Sequence, residues 1–291
     1  VGSLAKSGGK MILICNDKPL LIFPRIVLKK ELKEEDLMIK LSSKSVLDVA
    51  SVCKRFATTE AVNNLSFCLE EGEMICLLGP NGAGKTTVIR MLMDIIRPDS
   101  GTIRWWQNGQ DHTIPDPTQI GYLPEERGLY LDVPVLKILV YLASIRGMDP
   151  QKARKAALDW LERMNLADRA GEKLNNLSKG NQQKVQFVAA ILHKPSFVIL
   201  DEPFSGLDPL NQDIFIQYIR ELNEAGTTMI ISAHQMQLVE KLAQKVLIMN
   251  RGQVVFLGTI SKLLEKEGVS DKSGHRPALH DIFIKLVGEQ A

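Results

Sequence analysis

Two short runs carry residue types suited to phosphate chemistry. Gly79-Pro80-Asn81-Gly82-Ala83-Gly84-Lys85-Thr86-Thr87 satisfies the pattern G-x-x-x-x-G-K-[ST]. Glycines in such a run let backbone N–H groups curl around a phosphate without Cβ clashes, and a helix starting at the lysine adds the positive end of its dipole. Lys85 would reach the β- and γ-phosphates of a nucleotide, and the Thr86 hydroxyl would ligate Mg2+. The second run is Phe197-Val198-Ile199-Leu200-Asp201-Glu202, four apolar residues delivering two carboxylates. Asp201 at that point would hold the metal shell and Glu202 would polarise an attacking water as general base. Asp-Glu after a strand is also a common turn cap; the lysine loop upstream is what favours the chemical reading.

These groups need elements to hold them. Residues 74–78 form a continuous apolar run, the mark of a strand buried on both faces, and they lead straight into the glycine loop. Helical spacing over 85–96 places Val88, Met91, Leu92, Ile95 and Ile96 on one face, with Pro98 as a stop. Further buried strands are expected at 197–200 and 228–232, linked by a helix that Asp208 caps and Pro209 opens, with Gly226 at its end. Residues 46–52 and 65–69 alternate as half-buried antiparallel strands with Asn63-Asn64 near their turn, and 246–249 with 254–257 read as a hairpin. The section 124–195 is mostly helical: 151–166 is amphipathic through Ala157, Leu158, Leu161 and Met164, and 182–193 is a second helix. Strand–helix alternation implies an α/β fold with a mainly parallel sheet and helices on both faces; the lysine loop makes its core that of a P-loop NTPase, accompanied by an antiparallel β subdomain and a helical subdomain.

Composition excludes several classes. The chain has 291 residues, and 36 Lys+Arg against 34 Asp+Glu give a formal charge of +2, which argues against charge-driven nucleic-acid binding. Cys15, Cys53, Cys68 and Cys76 form no C-x-x-C pair, as expected of a reducing compartment rather than a disulfide framework or zinc site. The longest apolar runs, at 135–145 and 20–28, fall short of the roughly 20 residues a membrane span requires. Residues 1–45 carry no functional motif: the charge run 29–36 reads as a solvated linker, and Met38 is a candidate native start. A tail over 260–291 holds a charged helix and a loop at 268–277.

Between the two phosphate motifs lies Leu177-Ser178-Lys179-Gly180-Asn181-Gln182-Gln183, which resembles the signature sequence of ABC ATPases. Other motifs follow in that family's order. Ser205-Gly206-Leu207-Asp208 resembles the D-loop, His234 the switch histidine, and Gly121-Tyr122-Leu123-Pro124 leads into the Q-loop position. The resemblance spans residues 46–259. It implies that ATP is sandwiched between two such domains, the phosphate loop of one facing Ser178, Gly180 and Asn181 of the other, with Asp208 near the same junction. It also implies that His234 senses the γ-phosphate and holds Glu202 and water in place. Phe56, 23 residues before the loop (79 − 56), stands where the family places an aromatic on adenine; a core position is the other reading.

Three positions depart from the family pattern: Lys179 for glycine, Asn181 for glutamine, and Glu125 at the Q-loop glutamine. A carboxylate at 125 can ligate Mg2+ yet adds negative charge beside the γ-phosphate. Glu125-Glu126-Arg127-Gly128, with Lys179 and Asn181, is similar to the ATP-binding subunits of bacterial ABC-2-type sodium- and drug-efflux exporters. The implied protein is a Mg2+-dependent ATPase at the cytoplasmic face of the cell membrane. It would dimerise on ATP with a like or related ATP-binding subunit and drive a separate integral-membrane permease. The competing readings are a soluble non-transport ABC ATPase acting on ribosomes or DNA, and a subunit that binds ATP without hydrolysing it.

Overall fold

The computed structural model describes residues 3–7, 10–15, 18–22, 45–107, 109–126, 128–243, 245–266 and 279–288. The charge run 29–36, Met38 and the loop expected at 268–277 lie outside the described residues. Two compact units divide the chain at Leu41/Ser42. The first holds β1 (Ser3–Ser7), β2 (Lys10–Cys15) and β3 (Lys18–Ile22), joined antiparallel in the order β1-β2-β3.

The second unit opens with β4 (Ser45–Phe56) and β5 (Thr59–Glu70), a longer hairpin than the alternation predicts. Its turn is at Ala57-Thr58, with Ala57 at φ 47°, and not at Asn63-Asn64. Asn64 instead sits inside β5 at φ 52° and donates its N–H to Cys53 Sγ at 3.2 Å, at one of the hairpin's register shifts. Asparagine tolerates the left-handed region, so the same residue type serves a bulge as readily as a turn. β7 (Ser100–Gln107) and β8 (Gln110–His112) complete a four-stranded antiparallel sheet in the order β5-β4-β7-β8.

The central sheet runs β13-β12-β6-β11-β10-β9. Its strands are β6 (Met74–Leu78), β9 (Ile120–Leu123), β10 (Phe197–Asp201), β11 (Thr228–Ala233), β12 (Lys245–Asn250) and β13 (Gln253–Thr259). All neighbours are parallel except β12 and β13, the expected hairpin. Alternate residues serve two cores. Ile75, Leu77, Phe197, Ile199 and Ile230 face the antiparallel sheet and α1, while Met74, Cys76, Leu78, Val198, Leu200, Met229 and Ile231 face the helical layer. Covering both faces is why these strands read as unbroken apolar runs.

Helix α1 (Lys85–Leu92) ends a turn earlier than the periodicity predicts. Met93 caps it and Asp94 turns left-handed at φ 52°, leaving Ile95 exposed. The helical layer holds α2 (Val135–Ile145), α3 (Pro150–Arg163) and α4 (Lys179–Ile191). Asp149 caps α3 through bonds from the Gln151 and Lys152 N–H groups; Ala157, Leu161 and Met164 are buried as predicted, but Leu158 is exposed. Helix α4 begins three residues before the predicted 182 because Ser178 caps it, its Oγ accepting from the Asn181 N–H at 3.3 Å. Asp208 caps α5 (Pro209–Glu224) as expected, accepting from the Asn211 N–H at 3.0 Å. The remaining helices are α6 (Met236–Leu242), α7 (Ile260–Lys266) and α8 (Leu279–Gly288). Cys53, Cys68 and Cys76 are free thiols.

Strand β9 lies directly under α4: a Cβ added at Gly121 would stand 2.2 Å from the Ala190 carbonyl oxygen and 3.0 Å from Pro195 Cγ. Gly121→Ala is therefore expected to lower stability by about 1–3 kcal/mol, read as a drop in the urea unfolding midpoint. An unchanged midpoint would show that β9 and α4 separate freely.

Candidate nucleotide site

The site forms where adjacent parallel strands end together. β11 lies between β6 and β10, with Ala233 opposite Leu78 and Ser232 opposite Asp201. The loop after β6, the carboxylates at the end of β10 and His234 just past β11 therefore share one edge of the sheet. Ligands bind open α/β sheets at that carboxyl edge. β9 pairs with β10 up to Leu123↔Leu200, which brings Glu125 to the same edge.

Residues 79–84 form the loop, and α1 starts at Lys85. A Cβ at Gly79 would meet the Met249 carbonyl oxygen at 2.4 Å and Ala83 Cβ at 2.8 Å. Gly84 has φ 102° and packs on the Ala61 carbonyl, 2.3 Å from a virtual Cβ. Pro80 accepts the Ala83 N–H at 3.1 Å, and Asn81 and Gly82 are exposed at the tip. The Lys85 ammonium is buried against the loop it serves, donating to the Gly79 carbonyl at 2.7 Å and the Pro80 carbonyl at 3.3 Å. Burial pulls its pKa below the ordinary lysine value, opposed by the negative charges of Glu202, Asp201 and Glu125. Thr86 and Thr87 follow on the first turn, half-buried.

Asp201 is 1% exposed. The Ser232 hydroxyl donates to its Oδ1 at 2.5 Å, while its Oδ2 is buried with no hydrogen-bond partner. Burial raises the Asp201 pKa above the usual carboxylate range; Glu125 and Glu202 add to the rise, and the Ser232 bond and Lys85 oppose it. The neighbouring Tyr122 phenol is pushed up to about 12 by burial, with Asp201 contributing.

Glu202 adopts φ 51°, a left-handed conformation that costs an ordinary residue roughly 1–2 kcal/mol. Hydrogen bonds on both sides sustain it: its N–H donates to Ser232 Oγ at 2.9 Å, and its carbonyl accepts the Ser205 N–H at 3.1 Å. His234 Nδ1 lies 2.8 Å from Glu202 Oε2, the histidine side chain 56% exposed and the carboxylate 14%. The exposed ring argues against a packing role for His234. Phe56 is likewise 46% exposed, which removes the core reading; Lys54 Nζ stands 5.5 Å from its ring centre.

A second cluster holds Ser178, Gly180 and Asn181 at the start of α4 and Asp208 at the start of α5. Gly180 lies against the Gly206 carbonyl, 3.2 Å from a virtual Cβ, so the two helix starts are neighbours. Asn211 bonds to Asp208 lower its pKa, the backbone N–H first. Among the described residues no hydrogen bond joins this cluster to the glycine loop.

Sequence reasoning missed three residues. Ser232 ties the Asp201 carboxylate to the Glu202 backbone N–H, and its signal was a hydroxyl at the end of an otherwise apolar strand. Gln183 and Gln186 are buried on α4, donating to the Pro203 and Pro124 carbonyls at 3.0 and 2.9 Å, with no sequence signal that separates them from surface glutamines.

The fold and the lysine loop define a P-loop nucleotide-binding domain. The ABC transporter family profile matches residues 62–205. The uncharacterized ABC transporter ATP-binding protein YhaQ of Bacillus subtilis is 41% identical over 230 residues, covering 79% of this chain and 76% of that protein. The linearmycin resistance ATP-binding protein LnrL of the same organism is 33% identical over 225 residues, 77% of this chain and 72% of that one. A solved ATP-binding subunit of an ABC transporter superposes with TM-score 0.73 at 27% identity, covering 83% of this chain and 99% of that one. A dimeric post-hydrolysis ATP-binding cassette bound to ADP and Pi shares the fold, with TM-score 0.67 at 22% identity over 74% of this chain and 98% of that one. The chain belongs to the ABC transporter family of ATP-binding proteins.

The raised Asp201 pKa has a sign. Its contribution to stability is full below the unfolded carboxylate pKa and lost as pH rises through the folded value. Asp201→Asn is expected to melt above the parent protein at neutral pH without nucleotide, the margin closing toward about pH 4. A lower melting point at neutral pH, or a margin independent of pH, would contradict the burial argument.

Proposed function

We propose that this chain is the ATP-hydrolysing subunit of a membrane exporter, working as a dimer with a like or related subunit against a separate permease. The observation that carries hydrolysis is the held pair Glu202–His234 at 2.8 Å beside the buried Asp201 and Lys85. In this reading backbone N–H groups of residues 79–84 cradle the phosphates, Lys85 leaves its loop carbonyls for the β- and γ-oxygens, and Phe56 stacks on adenine. Glu202 takes a proton from a water whose oxygen attacks the γ-phosphorus as the bond to ADP breaks. His234 holds the carboxylate in line and contacts the γ-phosphate. Ser178, Gly180 and Asn181 of the second subunit close over the same nucleotide, with Asp208 bracing the junction.

The donor set suits Mg2+. Asp201 Oδ2 is a buried oxygen without a partner, and among the described residues no three His, Cys, Asp or Glu side chains gather into a metal cage. Mg2+ is commonly held by one or two carboxylates together with substrate phosphates. Asp201, Glu125 and the Thr86 hydroxyl would hold it here, and the ion supplies neutralisation of phosphate charge. Export is supported by the resistance role in the name of LnrL and by the motif variants Glu125, Lys179 and Asn181. Among the described residues no helix is long and apolar enough to cross a membrane; the proposed permease is a separate chain, with this subunit on its cytoplasmic face.

Glu202→Gln is expected to cut ATP turnover by about a hundredfold or more while leaving nucleotide binding intact and accumulating ATP-bound dimer. Turnover at the parental rate would remove Glu202 as the base. For the partner, affinity purification from mildly solubilised native membranes should recover a multi-span membrane protein in stoichiometric amount. Ribosomal or DNA-repair proteins in its place would replace the exporter reading with a non-transport one.

A further inference from the structure

Helix α4 carries its polar side chains inward as well as outward. Gln183 and Gln186, one turn apart, are 3% and 4% exposed, an unusual place for amides in a helix that also buries Val185, Phe187 and Val188. Gln186 Nε2 donates to the Pro124 carbonyl at 2.9 Å and to the Glu126 carbonyl at 3.4 Å. Both partners are carbonyl oxygens, so only the amide's NH2 end can satisfy them and the orientation of the side chain is determined. The two carbonyls bracket Glu125, whose charge reaches both Lys85 and Asp201. Gln183 makes the parallel bond to the Pro203 carbonyl, in the turn that follows Glu202.

We propose that Gln186 is a positioning residue that fastens the Glu125 segment to α4 and so sets where the Glu125 carboxylate stands at the metal side of the site. The inference rests on the reading of Glu125 as a metal-side ligand. Residue 125 lies beyond the last residue of β9, and strand pairing to β10 ends at Leu123, so ladder hydrogen bonds do not hold it. The Gln186 amide is the tie the structure provides from the helical layer. Because α4 starts at Ser178, about 12 Å along the same rigid rod, movement of that helix start would carry the Glu125 segment with it. A carboxylate oriented by an outer-shell hydrogen bond loses metal affinity when the bond is removed, by about tenfold or more in known metal sites.

The test uses the full chain with Glu202→Gln added to stop turnover, and reads Mn2+ affinity in the presence of ATP by electron paramagnetic resonance. Gln186→Leu, apolar and without a donor, is expected to weaken Mn2+ by about tenfold and to speed hydrogen exchange at residues 125–126 in the nucleotide-free protein. In a Glu125→Ala background the same substitution should add no further loss of Mn2+ affinity. Gln186→Met, equally long and more adaptable in packing, should behave alike if the leucine variant folds poorly. Unchanged Mn2+ affinity in either variant, or a loss that multiplies independently with Glu125→Ala, overturns the positioning role. Unchanged affinity in Glu125→Ala alone overturns the reading of Glu125 itself, and the proposal with it.

Discussion

A buried carboxylate at the end of an apolar strand is the constraint around which this molecule is arranged. Asp201 cannot reach water, and its solvation comes from one hydroxyl, that of Ser232 on the adjacent strand. An uncompensated buried charge costs several kcal/mol, so the pairing of β10 with β11 must place that hydroxyl within bonding distance. The same oxygen accepts the Glu202 N–H and holds that residue in its left-handed turn. One serine thus orients the buried acid and the backbone of the half-buried one together, and only a sheet with Ser232 opposite Asp201 allows it.

The helical layer serves the same edge from the other side. Phe187 of α4 packs on Phe215 of α5, ring centres 4.7 Å apart, and Trp160 of α3 meets both Phe187 and Tyr218 edge-on. Arg163 lies over the Trp160 and Tyr218 rings at 4.3 and 4.5 Å and pairs with Glu221, while the Tyr218 hydroxyl donates to its carbonyl at 2.7 Å. This cluster binds α3, α4 and α5 into one body. The helix starts at Ser178 and Asp208 therefore belong to a rigid unit, which the proposed closure over a second subunit's nucleotide would require.

Where sequence patterning misplaced boundaries, competing local physics decided. The apolar stripe of α1 continues to Ile96 because Ile96 still packs on the core, but the backbone leaves the helix at Asp94. Asn63-Asn64 looked like a turn because asparagine favours left-handed backbone; β5 uses that property for a bulge, and the chain reverses at Ala57-Thr58. The start of α4 was misplaced because polar residues 179–184 hide its buried face. Gln183 and Gln186 point inward only because loops from other parts of the chain offer them carbonyls.

The strand–loop–helix around Lys85, the apolar strand ending in Asp201-Glu202, and the helix cap at Asp208 were determined by the sequence itself, because each depends on neighbours within a few residues: glycines that permit the turn, apolar runs that demand burial, a side-chain oxygen that caps the next N–H. The order β6-β11-β10-β9, the tether through Ser232, the unpartnered oxygen of Asp201 and the amide clamp about Glu125 were decided by tertiary structure. Each of those joins residues tens of positions apart, and a hydrogen bond across such a distance leaves no local pattern: its geometry exists only once the strands and helices have packed.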